Sequence, residues 1–469
     1  MIIAVSVFFT IFLLAGCGIS LISLIRALFV LFPDVSWGDC SKSVNHLPPG
    51  TIGIVIQGDG AVQSSQAGIV QIGVRFLDMG QRCMSPHAFF PLIMIDGNES
   101  YENLKHNCVR LSAEIATMNS TFTIRHPIST QDLKVVFHCS SDQKFLCTLF
   151  VIPGGKMCIL CDVRSDQLAS ASSAIAASPR YAGADPIFPS SVLPFDEHHV
   201  VPDNLHQGMR CADRQMVLWV DSSSASVVSS SSVRAKFTQV IHDIGFQNFE
   251  FVKEKNARTF SFRNLSSDAT LKVFQSITSD QVRSIFEESK LSDQAIEQII
   301  KINQFLVRSL ELLNTWKPTN EQISQLEEAT RSFNEEFLKQ WGGGDYCNYL
   351  HLLSFHAKKS LRFFGNTLCF TCHAMEECNH LDNLLFFNAT NHKYRHLNQD
   401  DVLTNIMETR LRICLNPVLQ SAAPFTCPID CFPAQTLAGL RRHATASKHT
   451  NIEEIVITAQ QAAQAEEAE

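Results

Sequence analysis

The sequence has no excess of basic residues. Its 469 residues include 38 Lys and Arg against 46 Asp and Glu, a formal net charge of −8. Proteins that bind nucleic acids through bulk charge have the opposite imbalance, so such binding here would need a local basic patch, a further segment or a partner. A disulfide-rich secreted scaffold is also excluded, because 16 cysteines are too dilute in a chain of this length.

The amino-terminal sequence is apolar and lacks the positive region that opens a secretory signal. An uncharged run covers residues 2–25 and continues after Arg26 through Phe32. Its length and hydropathy are those of a transmembrane helix or an uncleaved anchor. Two interpretations of residues 1–34 stay open: a membrane segment, or a gene-model artefact in which intron or upstream sequence precedes a nuclear protein.

The pattern of apolar residues predicts a mixed α/β sheet followed by helices. Alternating residues in 51–76 and an apolar run in 90–95 indicate strands, residues 101–116 a helix, and residues 133–137 a further strand. A capping-box sequence at Thr278–Gln281 opens the helical part. We predict strands in 50–166, a segment that also holds two candidate aspartates and a Cys-x-x-Cys pair. A loop or low-complexity region should follow in 167–235, then helices in 236–420, and an acidic Ala/Gln-rich tail in 453–469.

Three carboxylates stand where a metal site can form. Asp59 lies between two glycines after an apolar strand, Asp142 follows the strand at 133–137, and Glu376 comes later in the helical part. Aspartates that follow buried strands project from one edge of a sheet, where a helical glutamate can join them. Oxygen ligands of this kind suit Mg²⁺, and two such ions support phosphoryl transfer. Singly, Asp59 is better explained by a turn, Asp142 by a loop and Glu376 by a solvated helix position, so the prediction depends on all three occurring together and in order.

The ordered set resembles the catalytic core of Transib transposases and of the large subunit of the V(D)J recombination-activating recombinase. The resemblance runs from about residue 53 to residue 415. Its most specific part is the spacing His351-x4-His356-x19-Glu376-x2-Asn379, together with Cys158-x2-Cys161. The amino-terminal apolar run stands where the family has a basic DNA-anchoring domain.

The resemblance implies an RNase H-like mixed sheet with a large, mainly helical zinc-binding insertion. Asp59, Asp142 and Glu376 would bind two Mg²⁺ or Mn²⁺ ions, and Trp316 would stack on a flipped base, although packing in the core is the alternative for that tryptophan. A structural zinc ion would be bound by four residues: Cys158, Cys161, His351 and His356. Such a Cys₂His₂ set leaves no open position on zinc, so its role would be structural.

A second zinc motif lies near the carboxyl terminus, within residues 421–452. Its potential ligands are Cys427, Cys431, His443 and His449. Their spacing is typical of a Cys₂His₂ zinc finger, which folds only with its metal and binds either DNA or protein.

The sequence therefore leaves three functions open. The first is a nuclear cut-and-paste DNA transposase or recombinase that nicks DNA and forms hairpins, acting as a homodimer on element ends with or without an accessory subunit. The second is a catalytically inactive, domesticated protein that binds DNA or protein through the finger. The third is a membrane-anchored protein with a relic transposase core.

Overall fold

The computed structural model describes residues 19–434, except for 63–67, 121, 153–157, 162, 170–190, 196–199, 223–226, 253–260, 264, 266, 290, 345, 390–402, 404–405, 408, 412–413, 415–424 and 427–432. The predicted α/β class is confirmed, because a mixed five-stranded sheet precedes a long helical region. The strands of the sheet are β1 (Thr51–Val62), β2 (Gly68–Phe76), β3 (Phe90–Asp96), β4 (Thr123–Arg125) and β5 (Asp132–Cys139).

The order across the sheet is β3-β2-β1-β5-β4, with one parallel pair at its centre. Strand β1 runs antiparallel to β2 and parallel to β5, and the edge strands β3 and β4 pair antiparallel with β2 and β5. The crossover from β3 to β5 contains helices α2 (Tyr101–Asn107) and α3 (Val109–Asn119). The sequence predicted one helix over 101–116, and the structure divides it at Cys108. Because β1 and β5 are parallel, the residues at their carboxyl ends lie at the same edge.

The apolar amino-terminal sequence is part of the folded core from residue 19 onward. Helix α1 (Leu21–Leu31) buries Leu24, Leu28 and other apolar side chains in the same cluster as the sheet. The backbone N–H of Ile19 donates to Leu92 of β3 at 2.8 Å. The expectation of a separate leader over residues 1–34 is therefore wrong for residues 19–34, because an apolar run covers a sheet as readily as it crosses a lipid bilayer. Residues 1–18 lie outside the described part.

Within the described residues, no helix is both long and apolar enough to span a membrane.

The start of β1 is held by a buried carboxylate. Asp78 accepts the backbone N–H groups of Gly38 at 2.7 Å and Gly53 at 3.1 Å. Burial raises the pKa of Asp78 to about 6 despite these hydrogen bonds. The carboxylate thus joins three segments that are distant in sequence.

The region predicted as loop, 167–235, contains helices instead. Helix α4 (Gln143–Phe150) is followed later in the chain by α5 (Asn204–Ser222) and α6 (Val227–Ile244). Met209, Met216 and Trp219 of α5 are buried. The prediction failed because serine-rich stretches at 169–179 and 221–232 suggested a linker, whereas the chain between them carries an apolar stripe with helical spacing that packs α5 into the core.

The remaining helices form the predicted helical region. They are α7 (Ser267–Ser276), α8 (Ser279–Phe286), α9 (Asp293–Leu313), α10 (Asn320–Trp341), α11 (Asn348–His351), α12 (Ala357–Phe364) and α13 (His373–Ala389). The capping box at Thr278 and Gln281 is confirmed at the start of α8. A second hydrophobic cluster, centred on Trp219, Phe237 and Phe286, joins α5 and α6 to this region. Short strand pairs complete the described elements: β6 (Glu250–Val252) with β7 (Ser261–Arg263), and β8 (Phe425–Thr426) with β9 (Pro433–Ala434).

Candidate active site and metal centre

The two predicted aspartates lie at the carboxyl ends of the parallel strands. In the register, Ile56 of β1 stands beside Cys139 of β5, and Asp59 and Asp142 each follow three residues later. A hydrogen bond of 2.8 Å from Gly58 N–H to Ser141 Oγ joins the two strand ends. Strand pairing therefore places both carboxylates at one edge of the sheet.

Asp142 also begins a helix. It is the N-cap of α4, and its Oδ1 accepts the backbone N–H of Phe145 at 2.6 Å. The cap fixes the carboxylate in one orientation and leaves its other oxygen available for a ligand.

The glycines that flank Asp59 make room for neighbouring side chains. They lie within β1, paired with β2, and not in a turn. A Cβ on Gly58 would be 2.1 Å from the ring of Phe145, and a Cβ on Gly60 would be 2.9 Å from Glu99. The Gly-Asp-Gly sequence is thus explained by close packing against α4 and the end of β3.

Glu376 reaches the same edge from the first helical turn of α13. Asn379, one turn along α13, donates through Nδ2 to Asp59 Oδ2 at 2.7 Å. Burial, followed by the negative charges of Glu376 and Asp142, raises the pKa of Asp59 to about 6. Strand pairing and the Asn379 contact therefore place Glu376 near both aspartates at one edge of the sheet.

A fourth carboxylate borders this site. The side chain of Glu99 is 3% exposed and pairs with Lys144 Nζ at 2.9 Å. Burial raises the pKa of Glu99, and the charge of Asp142 contributes to that shift. Beside Asp142, a cavity of about 450 Å³ is lined by Lys144, Arg210 and Tyr349 among other residues. Cations are thus present locally in a protein of net negative charge.

Two functional candidates were not identified from the sequence: Asp203 and His206, at the start of α5. His206 Nδ1 is hydrogen-bonded to Asp203 Oδ2, and its Nε2 lies 3.4 Å from Glu376 Oε1. Burial opposes a charge on this imidazole, but the two carboxylates outweigh burial and raise its pKa to about 10. The Asp-x-x-His spacing was a usable signal in the sequence, but it fell in the region interpreted as loop.

The ligand atoms of Asp203, His206 and Cys372 also lie within 4.8 Å of one another. Hydrogen bonds account for this proximity. Besides the contact to His206, the Asp203 carboxylate accepts the backbone N–H groups of Leu205 at 3.1 Å and Cys372 at 2.8 Å. With its lone pairs directed at protein donors, this carboxylate fits a positioning group for His206 better than a metal ligand.

The four predicted zinc ligands converge at a buried point. Cys158 Sγ lies 3.6 Å from His356 Nε2, Cys161 Sγ lies 3.3 Å from His351 Nε2, and the two Nε2 atoms are 3.2 Å apart. Zinc bonds of about 2.3 Å to sulfur and 2.0 Å to nitrogen require ligand separations of about 3.5 Å (N···S) and 3.3 Å (N···N) at tetrahedral angles. The donor set and its spacing therefore fit zinc.

A π-helical segment explains the spacing of the histidines. Residues five apart in an α-helix point in different directions, but Leu352–His356 is a π-helix in which the N–H of Ala357 donates to Leu352, five residues earlier. This wider turn brings His351 and His356 to the same side. A hydrogen bond from Cys158 lowers the pKa of the Cys161 thiol and outweighs burial, which would raise it. Hydrogen bonds from His351 and His356 lower the pKa further. The thiolate is the form that binds metal.

The remaining predicted residues divide into two groups. Trp316 is partly buried and packs against the main core, as the alternative interpretation expected. The four potential ligands of the zinc finger lie outside the described residues, where only the short pair β8–β9 borders them.

The carboxylates are more widely spaced than the zinc group. Among the described residues, two sets of potential ligands have all their ligand atoms within 4.8 Å of one another. They are the zinc group (Cys158, Cys161, His351 and His356) and the set of Asp203, His206 and Cys372. Asp59, Asp142 and Glu376 do not form such a set, and two ions about 3.5–4 Å apart would need ligands spread over a wider distance than one zinc ion does.

No family model matches the chain, and no curated protein matches its sequence.

Proposed function

We propose that this chain is the catalytic core of a metal-dependent DNA transposase or recombinase of the Transib type. The observation that carries the proposal is the convergence of Asp59, Asp142 and Glu376 from three separate elements at one edge of the sheet. The central parallel pair, extended by antiparallel β2 and β3, supports an RNase H-like interpretation of the sheet. The buried Cys₂His₂ group supports a helical insertion held by zinc.

Asp59, Asp142 and Glu376 would hold two Mg²⁺ or Mn²⁺ ions. When bound, the ions would activate the attacking oxygen and neutralise charge that develops on the phosphate. Asn379 orients Asp59 through its 2.7 Å hydrogen bond. The negative charges of Glu376 and Asp142 contribute to the raised pKa of Asp59, and a bound cation would reduce the repulsion among the three carboxylates.

His206 is placed to hold Glu376. Both ring nitrogens of this buried imidazole face carboxylates, Nδ1 that of Asp203 and Nε2 that of Glu376, so the protonated ring would orient Glu376 in the site. Lys144 and Arg210 line the cavity next to Asp142, where they would contact the phosphates of the strand that leaves the site. These local cations offset the negative charge of the whole protein.

The zinc group would tie the chain after Asp142 to the helices before Glu376. Cys158 and Cys161 belong to the former, and His351 and His356 to the latter. The ion therefore would stabilise the relative placement of the carboxylates, and it takes no part in the chemistry. The predicted finger would add a second zinc ion and a contact to DNA or to an accessory protein.

The test is a plasmid-nicking assay with Mg²⁺ or Mn²⁺ on the full chain. Glu376→Gln keeps the shape of the side chain but removes its charge, so nicking should be abolished, as it should be by Asp59→Asn. The matched control is Glu377→Gln, the next residue of α13, whose side chain is exposed. Equal nicking by all variants would refute the assignment. Absence of nicking in the wild type, with zinc bound, would favour the domesticated binding protein.

A further inference from the structure

The three residues before α13, which we call the 370–372 segment, are held by buried side chains from other elements. Gln57 Nε2 donates to the first two carbonyl oxygens of the segment at 3.0 and 3.2 Å. Ser140 Oγ donates to the first at 2.8 Å, and Arg75 Nη2 donates to the second at 2.7 Å. All three donors are fully buried.

These donors lie beside the candidate carboxylates in sequence. Gln57 precedes Asp59 by two residues on β1, so both side chains project from the same face of the strand. Ser140 precedes Asp142 by two residues, directly after β5 ends. The strand ends that carry the aspartates therefore also hold the segment that leads to the glutamate.

The segment in turn determines where Glu376 lies. The carbonyl oxygen of Cys372 accepts the backbone N–H of Glu376 at 2.9 Å, in the first turn of α13. The N–H of Cys372 donates to Asp203 at 2.8 Å. A displacement of the segment would therefore move Glu376 relative to both aspartates.

The chemistry of Arg75 argues against simple packing. Its guanidinium is fully buried and donates to carbonyl oxygens, of Cys83 at 3.2 Å and of the 370–372 segment. Burying a charge is costly, and an apolar side chain of similar volume usually packs at least as stably. The burial of Arg75 is therefore explained if its hydrogen bond fixes the position of the 370–372 segment.

We propose that Gln57, Arg75 and Ser140 are positioning residues, which hold the 370–372 segment so that Glu376 meets Asp59 and Asp142. The inference rests on the proposed function for the role of Glu376. The hydrogen bonds lie within the protein and involve no substrate, so the positioning can be measured without a substrate.

Two substitutions test the proposal in the full chain, each with a matched control. Ser140→Ala is compared with Ser309→Ala, because Ser309 is also fully buried and donates to a backbone carbonyl, that of Phe305, at 2.7 Å. Gln57→Met is compared with Gln298→Met, since Gln298 is buried and donates to the carbonyl of Glu336 at 3.1 Å. The controls lie in the helical region.

Two measurements are made on each variant. The first is Mn²⁺ affinity, from the electron paramagnetic resonance signal of free Mn²⁺. We expect about tenfold weaker binding for Ser140→Ala and Gln57→Met, as for other residues that orient ligands, and unchanged binding for the controls. The second is hydrogen exchange of the amides in 373–380, which should be faster in the two test variants and unchanged in the controls.

The outcomes separate the two proposals. If the wild type binds no Mn²⁺ but exchange in 373–380 still accelerates selectively, the metal site is refuted and the positioning role stands. If Mn²⁺ affinity and exchange match the wild type in both test variants, the positioning role is refuted. Equal changes in test and control variants would also refute it, because they would reflect general loss of stability.

Discussion

Replacing Gly58 by alanine should destabilise the protein and displace a catalytic candidate at the same time. The added Cβ would lie 2.1 Å from Cζ of Phe145, whereas carbon atoms in contact are normally about 3.5–4.0 Å apart. The ring or the strand must therefore move by about 1.5 Å. Overpacking of this kind costs about 1–3 kcal/mol of the free energy of unfolding.

The displacement should extend to Asp142, because this carboxylate caps the helix that carries Phe145. Shortening the ring tests the mechanism directly. Phe145→Leu alone should cost about 1–2 kcal/mol by loss of packing. Combined with Gly58→Ala, it should cost less than the sum of the single changes by about 1–2 kcal/mol, since the collision is removed.

The measurement is urea unfolding followed by tryptophan fluorescence, with Mn²⁺ affinity measured in parallel. Gly344→Ala is the control, because a Cβ there would meet no atom within 4 Å. The packing argument is refuted if Gly58→Ala is as stable as Gly344→Ala. It is also refuted if the costs of Gly58→Ala and Phe145→Leu are additive in the double variant.

Three further predictions concern the zinc group, a buried carboxylate and the histidine. Cys158→Ser should release one zinc equivalent, measured by elemental analysis, and lower the free energy of unfolding by several kcal/mol, whereas Cys139→Ser, a buried cysteine outside the group, should retain the metal. The pKa of Asp78 is raised to about 6 from 3.8, so the stability contributed by its protonated form is lost as the pH rises from about 4 to 6. Because asparagine does not titrate in this range, the cost of Asp78→Asn, measured from unfolding curves, should be smaller by about 2 kcal/mol at pH 7 than at pH 4. His206→Gln should weaken Mn²⁺ binding and slow nicking together, each by about 10-fold, because the charged imidazole beside Glu376 is lost; slower nicking with unchanged Mn²⁺ affinity would contradict this positioning role.

The regular part of the sheet was predictable because the chain itself carries the signal. Alternation of apolar residues marks β1 and β2, and the strand predicted at 133–137 lies within β5, because strand side chains alternate between two faces. The capping box of α8 was likewise readable, since it depends on residues three apart. Local patterns of this kind need no knowledge of the rest of the fold.

Two regions were misread because the same composition serves different environments. The apolar run at the amino terminus has the hydropathy of a membrane helix, yet from residue 19 it packs with the sheet. Two serine-rich stretches, 169–179 and 221–232, have the composition of a linker, yet α5 forms between them and carries His206. Burial against a partner element outweighs intrinsic propensity, and the partner cannot be known from the segment alone.

By itself, the sequence determined the identity and order of the carboxylates, the Cys-x-x-Cys pair and the spacing of the two histidines. Only the tertiary structure decided that these residues meet. The parallel pairing of β1 and β5 sets Asp59 beside Asp142, a π-helical turn directs both histidines at the cysteines, and buried donors on the strands hold the segment before Glu376. Each of these depends on contacts between residues tens to hundreds of positions apart, which no local pattern encodes and which form only when the burial of the whole core stabilises them.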